Sequence, residues 1–334
     1  MAKVKRLTKN VLRLLLPVVV LVVIATSAAS VWLVHETSHP GHLGYLVTPE
    51  KYGMLSSRGA QVTEESWQSL DGSAQKGWLL RGTPNLPAVV LLHKYGANRS
   101  HVLNLGVKLN EATNFTVLMP DMRGHGPEAG DKKCTFGGCE SEDLASTVAY
   151  LKGLRTPEGF QLIGGGIGIY GLEMGALSAL TTAVANPDVK AVALDSVPAD
   201  SDAMLASVIE RRFPFASTIT ERLGQLGTYA YYFDGCYSRV PSCELARQLQ
   251  NRSVLLLAGS DAREFQDSTS KLSKCLPNSV KLDSKTDLSP SGMGILNASL
   301  ETSEAYDQRI IDFFRTSLSP PMPDSAMSIR EVTP

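Results

Sequence analysis

The chain has 334 residues, 43% of them hydrophobic and 19% charged, with a formal net charge of −1, which is room for one large or two smaller domains with a substantial core. Five basic groups (Lys3, Lys5, Arg6, Lys9, Arg13) and no acid lie in residues 1–13. Taking those five from the 32 basic residues leaves the rest six short of its 33 acids, which excludes the basic footprint of a nucleic-acid-binding protein.

Residues 14–34 carry no charge and are rich in Leu and Val. As a helix they rise about 31 Å, enough to cross a hydrocarbon core of about 30 Å. The expected reading is an uncleaved single-pass anchor, with Trp32 at the interface. The competing reading is a cleaved signal peptide, with Leu14–Ile24 as its apolar core and Ser27-Ala28-Ala29 as a small-residue cleavage site. Either way the preceding basic residues stay on the cytoplasmic side of the cytoplasmic membrane, and the remainder is periplasmic or extracellular. Residues 35–60, with Pro40, Gly41 and Thr48-Pro49, read as a linker.

Alternating stretches at 61–69 and 77–81 flank Asp71-Gly72, a hairpin signal. The apolar run Ala88–His93 fits a strand buried on both faces. A helix over 101–112, a strand over 115–120 and a helix over 141–154 follow. A strand over 166–171 leads into a helix ending near Asn186. Strands are expected at Val189–Asp195, Ser253–Gly259 and Val280–Asp283, then an amphipathic helix over 303–318. The alternation predicts an α/β domain over 61–318, its mostly parallel sheet covered on both faces. Residues 197–250 interrupt it with two helices and the cluster Tyr229, Tyr231, Tyr232, Phe233, and read as a cap insertion. Residues 319–334, with four prolines, read as a disordered tail.

The five cysteines suit an oxidising compartment. Proximity in sequence pairs Cys134 with Cys139 and Cys236 with Cys243, leaving Cys275 free; reduced, inert thiols are the alternative. Glycosylation sequons stand at Asn98, Asn114, Asn251 and Asn297. The first two fall at a presumed pocket and a buried strand and read as chance matches, which leans toward a bacterial exported protein.

Gly171-Leu172-Glu173-Met174-Gly175 follows a strand and opens a small-residue helix, the layout of the G-x-S-x-G elbow with glutamate in the serine slot. With it stand Thr48-Pro-Glu-Lys-Tyr-Gly53, Asp71-Gly72, Leu92-His93 with Gly96-Ala-Asn-Arg99, Pro120-Asp-Met-Arg-Gly-His-Gly126, and the acids Glu140 and Asp143. In this order and spacing, residues 48–318 resemble the α/β-hydrolase superfamily, particularly its serine-peptidase-like and lysophospholipase-like esterases. The resemblance implies an α/β-hydrolase fold and four working parts: nucleophile, histidine base, orienting acid and two oxyanion donors.

Those parts are altered here. The nucleophile position is Glu173. The base belongs near Asp283–Pro290, where there is no histidine; all six (His35, His39, His42, His93, His101, His125) precede the elbow. The acid position falls on Asp261. The oxyanion N–H donors fall on Tyr95 and Met174, with Lys94 in place of a glycine and His93 and His125 beside the pocket. Glu173 reads first as a carboxylate favoured by a helix N-terminus, about 0.3–1 kcal/mol at an exposed site. Its alternative reading is a nucleophile, as aspartate is in haloalkane dehalogenases and epoxide hydrolases. It is expected to turn toward Tyr95 and Met174 with Lys94 as ion-pair partner, its pKa depressed if those groups outweigh desolvation.

No metal cluster is visible, and Gly164-Gly165-Gly166 precedes a strand instead of opening a helix, so neither metal nor cofactor is expected. The expected function is an exported, membrane-anchored pseudo-hydrolase that binds a small apolar or ester-like ligand or a protein partner, and no nucleic acid. The alternative is an active esterase- or peptidase-like hydrolase using Glu173. A third reading is a scaffold whose pocket is filled by its own side chains.

Overall fold

The protein is described by a computed structural model covering residues 2–41, 43–53, 61–130, 132–213, 218–233 and 235–319. Its centre is an eight-stranded sheet in the order β1-β2-β4-β3-β5-β6-β7-β8. Strands β1 (Val62–Gln68) and β2 (Ala74–Leu80) form the antiparallel hairpin expected around Asp71-Gly72, with Gly72 at φ 77°. Strand β2 runs antiparallel to β4 (Thr116–Pro120). The others are parallel: β3 (Leu86–Leu92), β5 (Ile163–Leu172), β6 (Val189–Asp195), β7 (Ser253–Gly259) and β8 (Lys281–Leu288).

The continuous apolar runs have the cause expected of parallel strands: both faces are covered. Val90, Leu92, Ile169, Val192, Leu194 and Leu256 share one core with α4 (Cys139–Gly153), α5 (Met174–Ala185) and α9 (Arg263–Leu272). Val89, Leu91, Tyr170, Ala193, Leu255 and Leu257 share the other with α3 (Leu103–Thr113) and α10 (Leu300–Leu318). Each fully buried Leu or Val contributes about 1.5–3 kcal/mol over leaving it in water.

Among the described residues three helices lie between β6 and β7, one more than expected: α6 (Ser201–Arg212), α7 (Thr218–Tyr231) and α8 (Ser242–Gln248). The apolar N-terminal segment belongs to α1 (Ala2–Ser38), long and apolar enough to cross a membrane over Leu15–Ser38. It does not end where the uncharged run ends. Its last turns bury Ser30, Leu33, Val34, Thr37 and Ser38 against the domain, and the Ser38 carbonyl accepts the Cys134 N–H at 2.8 Å. Residues 35–38, expected as linker, are therefore docked helix. Within the remainder of that stretch Pro49–Gly53 forms a short helix, α2, and 54–60 lie outside the described residues. Of the expected tail only Ser319 is described.

The two disulfides expected from export are present, but neither local pairing is. Cys139 joins Cys236 and Cys243 joins Cys275, with Cα separations of 5.0 and 5.4 Å, and Cys134 is the buried free thiol. The first bond ties the start of α4 to the chain leaving α7, where the Gly138 Cα faces the Cys236 carbonyl so closely that a Cβ would lie 1.9 Å from its oxygen. The second ties α8 to the chain after α9. Sequence proximity misled because tertiary packing decides which Cα atoms come within about 4.4–6.8 Å.

Candidate functional site

Leu172 ends β5, Met174 opens α5, and Glu173 alone makes the reversal at φ 57°, ψ −113°. That conformation costs a non-glycine residue about 1–3 kcal/mol. Both flanking glycines are required by contact. A Cβ on Gly171 would stand 2.3 Å from the Gly175 carbonyl oxygen, and one on Gly175 would stand 2.8 Å from the Leu92 Cβ. The turn is fixed on its other side by the Glu173 N–H, which donates to the Asp195 carbonyl at 2.9 Å.

The Glu173 side chain is completely buried. Its Oε2 accepts the Tyr95 N–H at 2.9 Å, as expected of the oxyanion position. Its Oε1 lies 2.6 Å from Nη2 of Arg211, on the last turn of α6, in an ion pair without hydrogen-bond alignment. Three expectations are corrected here. Lys94 is not the ion-pair partner: its Nζ donates to the Met293 carbonyl at 2.7 Å. The carboxylate does not cap α5; it turns from the helix start toward Tyr95. Its pKa is raised, not depressed, because desolvation outweighs Arg211, the Tyr95 N–H and Lys94.

Asp261, just past β7, accepts the Ser291 N–H on Oδ1 at 2.8 Å and the Ser291 hydroxyl on Oδ2 at 3.1 Å. Ser291 is buried in the loop after β8, which begins with a cis Ser289–Pro290 bond. A second acid holds the same loop. Asp195, at the carboxyl end of β6, accepts the Gly292 N–H at 2.8 Å, the Ser196 hydroxyl at 2.8 Å and the Tyr306 hydroxyl, and Tyr306 is itself 2.9 Å from the Tyr170 hydroxyl. Burial raises the pKa of Asp195.

Both pocket histidines brace loops. His93 Nδ1 donates to the Lys94 carbonyl at 2.8 Å and Nε2 accepts the Met122 N–H at 3.0 Å, so neither nitrogen is free. His125 Nδ1 donates to the Arg123 carbonyl at 2.8 Å, and its ring meets the Tyr95 ring edge-on at 5.3 Å. Burial holds both neutral, His125 at about 4 and His93 well below its usual value. Tyr95 reaches the other way too: its hydroxyl donates to the Thr37 carbonyl of α1 at 2.6 Å. One residue thus joins the elbow to the end of the N-terminal helix. A groove of about 960 Å³ lies between β8 and α10, but Ser253, Lys281 and Asp312 line it at the amino ends of β7 and β8, the opposite edge from the elbow.

No family model matches the chain, and no curated protein matches it in sequence. Its backbone, however, is similar to those of solved hydrolases. An esterase from Pyrococcus furiosus superposes with a TM-score of 0.58 at 18% identity, covering 85% of this chain and 99% of that one. A dienelactone hydrolase from Anabaena variabilis gives 0.54 at 15% identity, with 78% and 99% covered. A 2,6-dihydroxy-pseudo-oxynicotine hydrolase gives 0.54 at 16% identity, with 82% and 74% covered. The chain has the α/β-hydrolase fold.

Within this fold Glu173 sits in the turn between β5 and α5 with the Tyr95 N–H beside it, and Asp261 follows β7. The loop after β8 brings Ser291 to Asp261. Asp261, expected to have no histidine partner, accepts two hydrogen bonds from Ser291. Sequence reasoning missed Ser291, Asp195 and Arg211. Asp195 could have been found, since it ends a parallel strand at the edge where such sheets gather functional groups. Arg211 carries no local signal on α6.

Proposed function

We propose that this protein is an exported, membrane-anchored hydrolase-like protein that performs no hydrolysis, its former active site filled by its own side chains. The observation that carries the proposal is the burial of Glu173 between the Tyr95 N–H and Arg211. A carboxylate there fills the space in which a substrate oxygen would meet the oxyanion donor, and Arg211 sits over its second oxygen. A competent general base is missing too: Ser291 cannot accept a proton near neutral pH, and His93 has both ring nitrogens in hydrogen bonds. Burial lowers His101, beside Gly292, and His125 to about 4, too weakly basic although each has an unpartnered Nε2 among the described residues. Losing the base alone removes orders of magnitude in rate. The filled site favours a scaffold that engages a partner by its surface over a receptor for a small ligand in the old pocket. Anchoring is supported by α1, and export by the basic residues before it and by the two disulfides.

The test is direct. Full-length protein in detergent should take up no fluorophosphonate and show background turnover across an esterase panel, and Glu173→Ser should not restore either. Robust hydrolysis abolished by Glu173→Gln would overturn the proposal and establish Glu173 as a catalytic residue.

A further inference from the structure

Helix α7 is apolar on two opposite faces; among the described residues the inner one is packed on helices, and the outer one is covered only where the Arg239 guanidinium lies 3.8 Å over the Tyr229 ring. On the inner face Gly224 packs on Ile209 of α6, and Gly227 meets Ser30 of α1 so closely that a Cβ would lie 2.3 Å from the Ser30 carbonyl oxygen. On the outer face Ile219, Leu226 and Tyr229 are 73%, 64% and 65% exposed, and Phe233, just beyond the last turn, is 84% exposed. At about 100° per residue these four fall within one quadrant of the helix. Exposed apolar stripes of this kind mark interaction surfaces.

The occupant is indicated by α1. Gly227 lies on Ser30, the Tyr231 hydroxyl is 3.1 Å from His35, and the Tyr232 hydroxyl reaches Ser38, so α7 runs alongside α1 in the same direction. From Leu15 to Ala29 α1 is exposed, and from Ser30 onward it is docked on the domain. The uncharged, exposed stretch 15–29 rises only about 22 Å, short of a hydrocarbon core of about 30 Å. A complete span must therefore include the turns of α1 where α7 is packed, and the register of Gly227 on Ser30 sets Tyr229 level with Trp32, Leu226 about one turn deeper, Ile219 deeper still and Phe233 about one turn outward. Trp32 is half-exposed, packs 5.8 Å from Phe213, and together with Tyr229 has the amphipathic ring character found at the membrane interface. Arg222 lies exposed within the stripe, and its long side chain suits snorkelling to a headgroup.

We propose that Ile219, Leu226, Tyr229 and Phe233 of the inserted helices, with Trp32, form a lipid-facing surface seated in the outer leaflet of the bilayer that α1 crosses, an inference that rests on reading α1 as an anchor. The domain is then held against the membrane in one orientation, with α6 and the Glu173–Arg211 pair on the side near the lipid. Insertion to the headgroup–acyl boundary, about 5–10 Å, accounts for apolar side chains beside an arginine.

An environment-sensitive fluorophore attached to Leu226→Cys or Phe233→Cys of the full-length protein in nanodiscs tests this, with doxyl-labelled lipid as quencher. Leu70→Cys on the β1–β2 hairpin and Leu21→Cys within α1 serve as controls. The expected result is loss of fluorescence at 226 and 233 approaching that at 21, and none at 70. Quenching at 21 alone overturns the surface and leaves the anchor standing; no quenching at 21 overturns the anchor and the surface with it. A spectral shift at 226 that follows protein concentration and ignores lipid would assign the face to a second copy and also overturn the proposal.

Discussion

Glu173→Gln is the perturbation that separates a filled site from a poised one. The amide oxygen still accepts the Tyr95 N–H, so the penalty of about 1–3 kcal/mol for stranding a buried donor is avoided. Arg211 loses its partner, but its side chain is 40% exposed and its charge returns to water at small cost. What remains is removal of a carboxyl whose pKa burial has raised. A raised carboxyl pKa means the folded state binds the proton more tightly. Unfolding free energy should therefore fall as pH rises from the unfolded carboxyl pKa near 4.3 to the higher folded value, by about 1.4 kcal/mol for each pH unit between the two. Glu173→Gln should lack that contribution. Urea unfolding in detergent, followed by fluorescence of the buried Trp67 and Trp78, should give nearly equal stabilities at about pH 4 and a variant at least as stable as wild type at about pH 8. A variant equal at the acid end but less stable at the alkaline end would refute the reasoning, because it would mean Arg211 and Tyr95 outweigh desolvation.

Peptide mapping without reduction should recover Cys139 linked to Cys236 and Cys243 linked to Cys275, with Cys134 alkylated only after unfolding. Cys243→Ala, which opens a link of sequence separation 32, should lower unfolding free energy by about 3–4 kcal/mol. Gly171→Ala should destabilise by about 1–3 kcal/mol or more on the same urea assay, because the added methyl meets the Gly175 carbonyl and the elbow cannot yield. Tyr95→Phe removes the hydroxyl bond to Thr37 and should cost about 0.5–1.5 kcal/mol; no change would mean that α1 is not held to the elbow by that bond.

The sheet and the elbow were legible in the amino-acid order alone, as was the lack of a histidine after the last strand. Strands such as Ala88–His93 and Val189–Asp195 are read locally, because burial on both faces of a parallel sheet demands an unbroken apolar run. The elbow is legible because a tight strand-to-helix turn calls for glycine, at 171 through a contact with Gly175 and at 175 through close approach to Leu92 of β3, and no histidine follows the last strand in the chain. The rest was set by long-range packing. Arg211 reaches Glu173 from α6 and Ser291 reaches Asp261 across two strands' loops, and neither pairing leaves a periodic or spacing signal. The sign of the Glu173 pKa shift depended on how completely α6 and the loop after β3 exclude water, a property of packing, so identifying its neighbouring donors could not supply it. Cysteine pairing followed the meeting of α4 with the chain after α7, and of α8 with the chain after α9. The end of α1 was read as linker because helix propensity and hydropathy are local, whereas its burial depends on the partners α7, Tyr95 and Cys134 that only the folded chain brings to it.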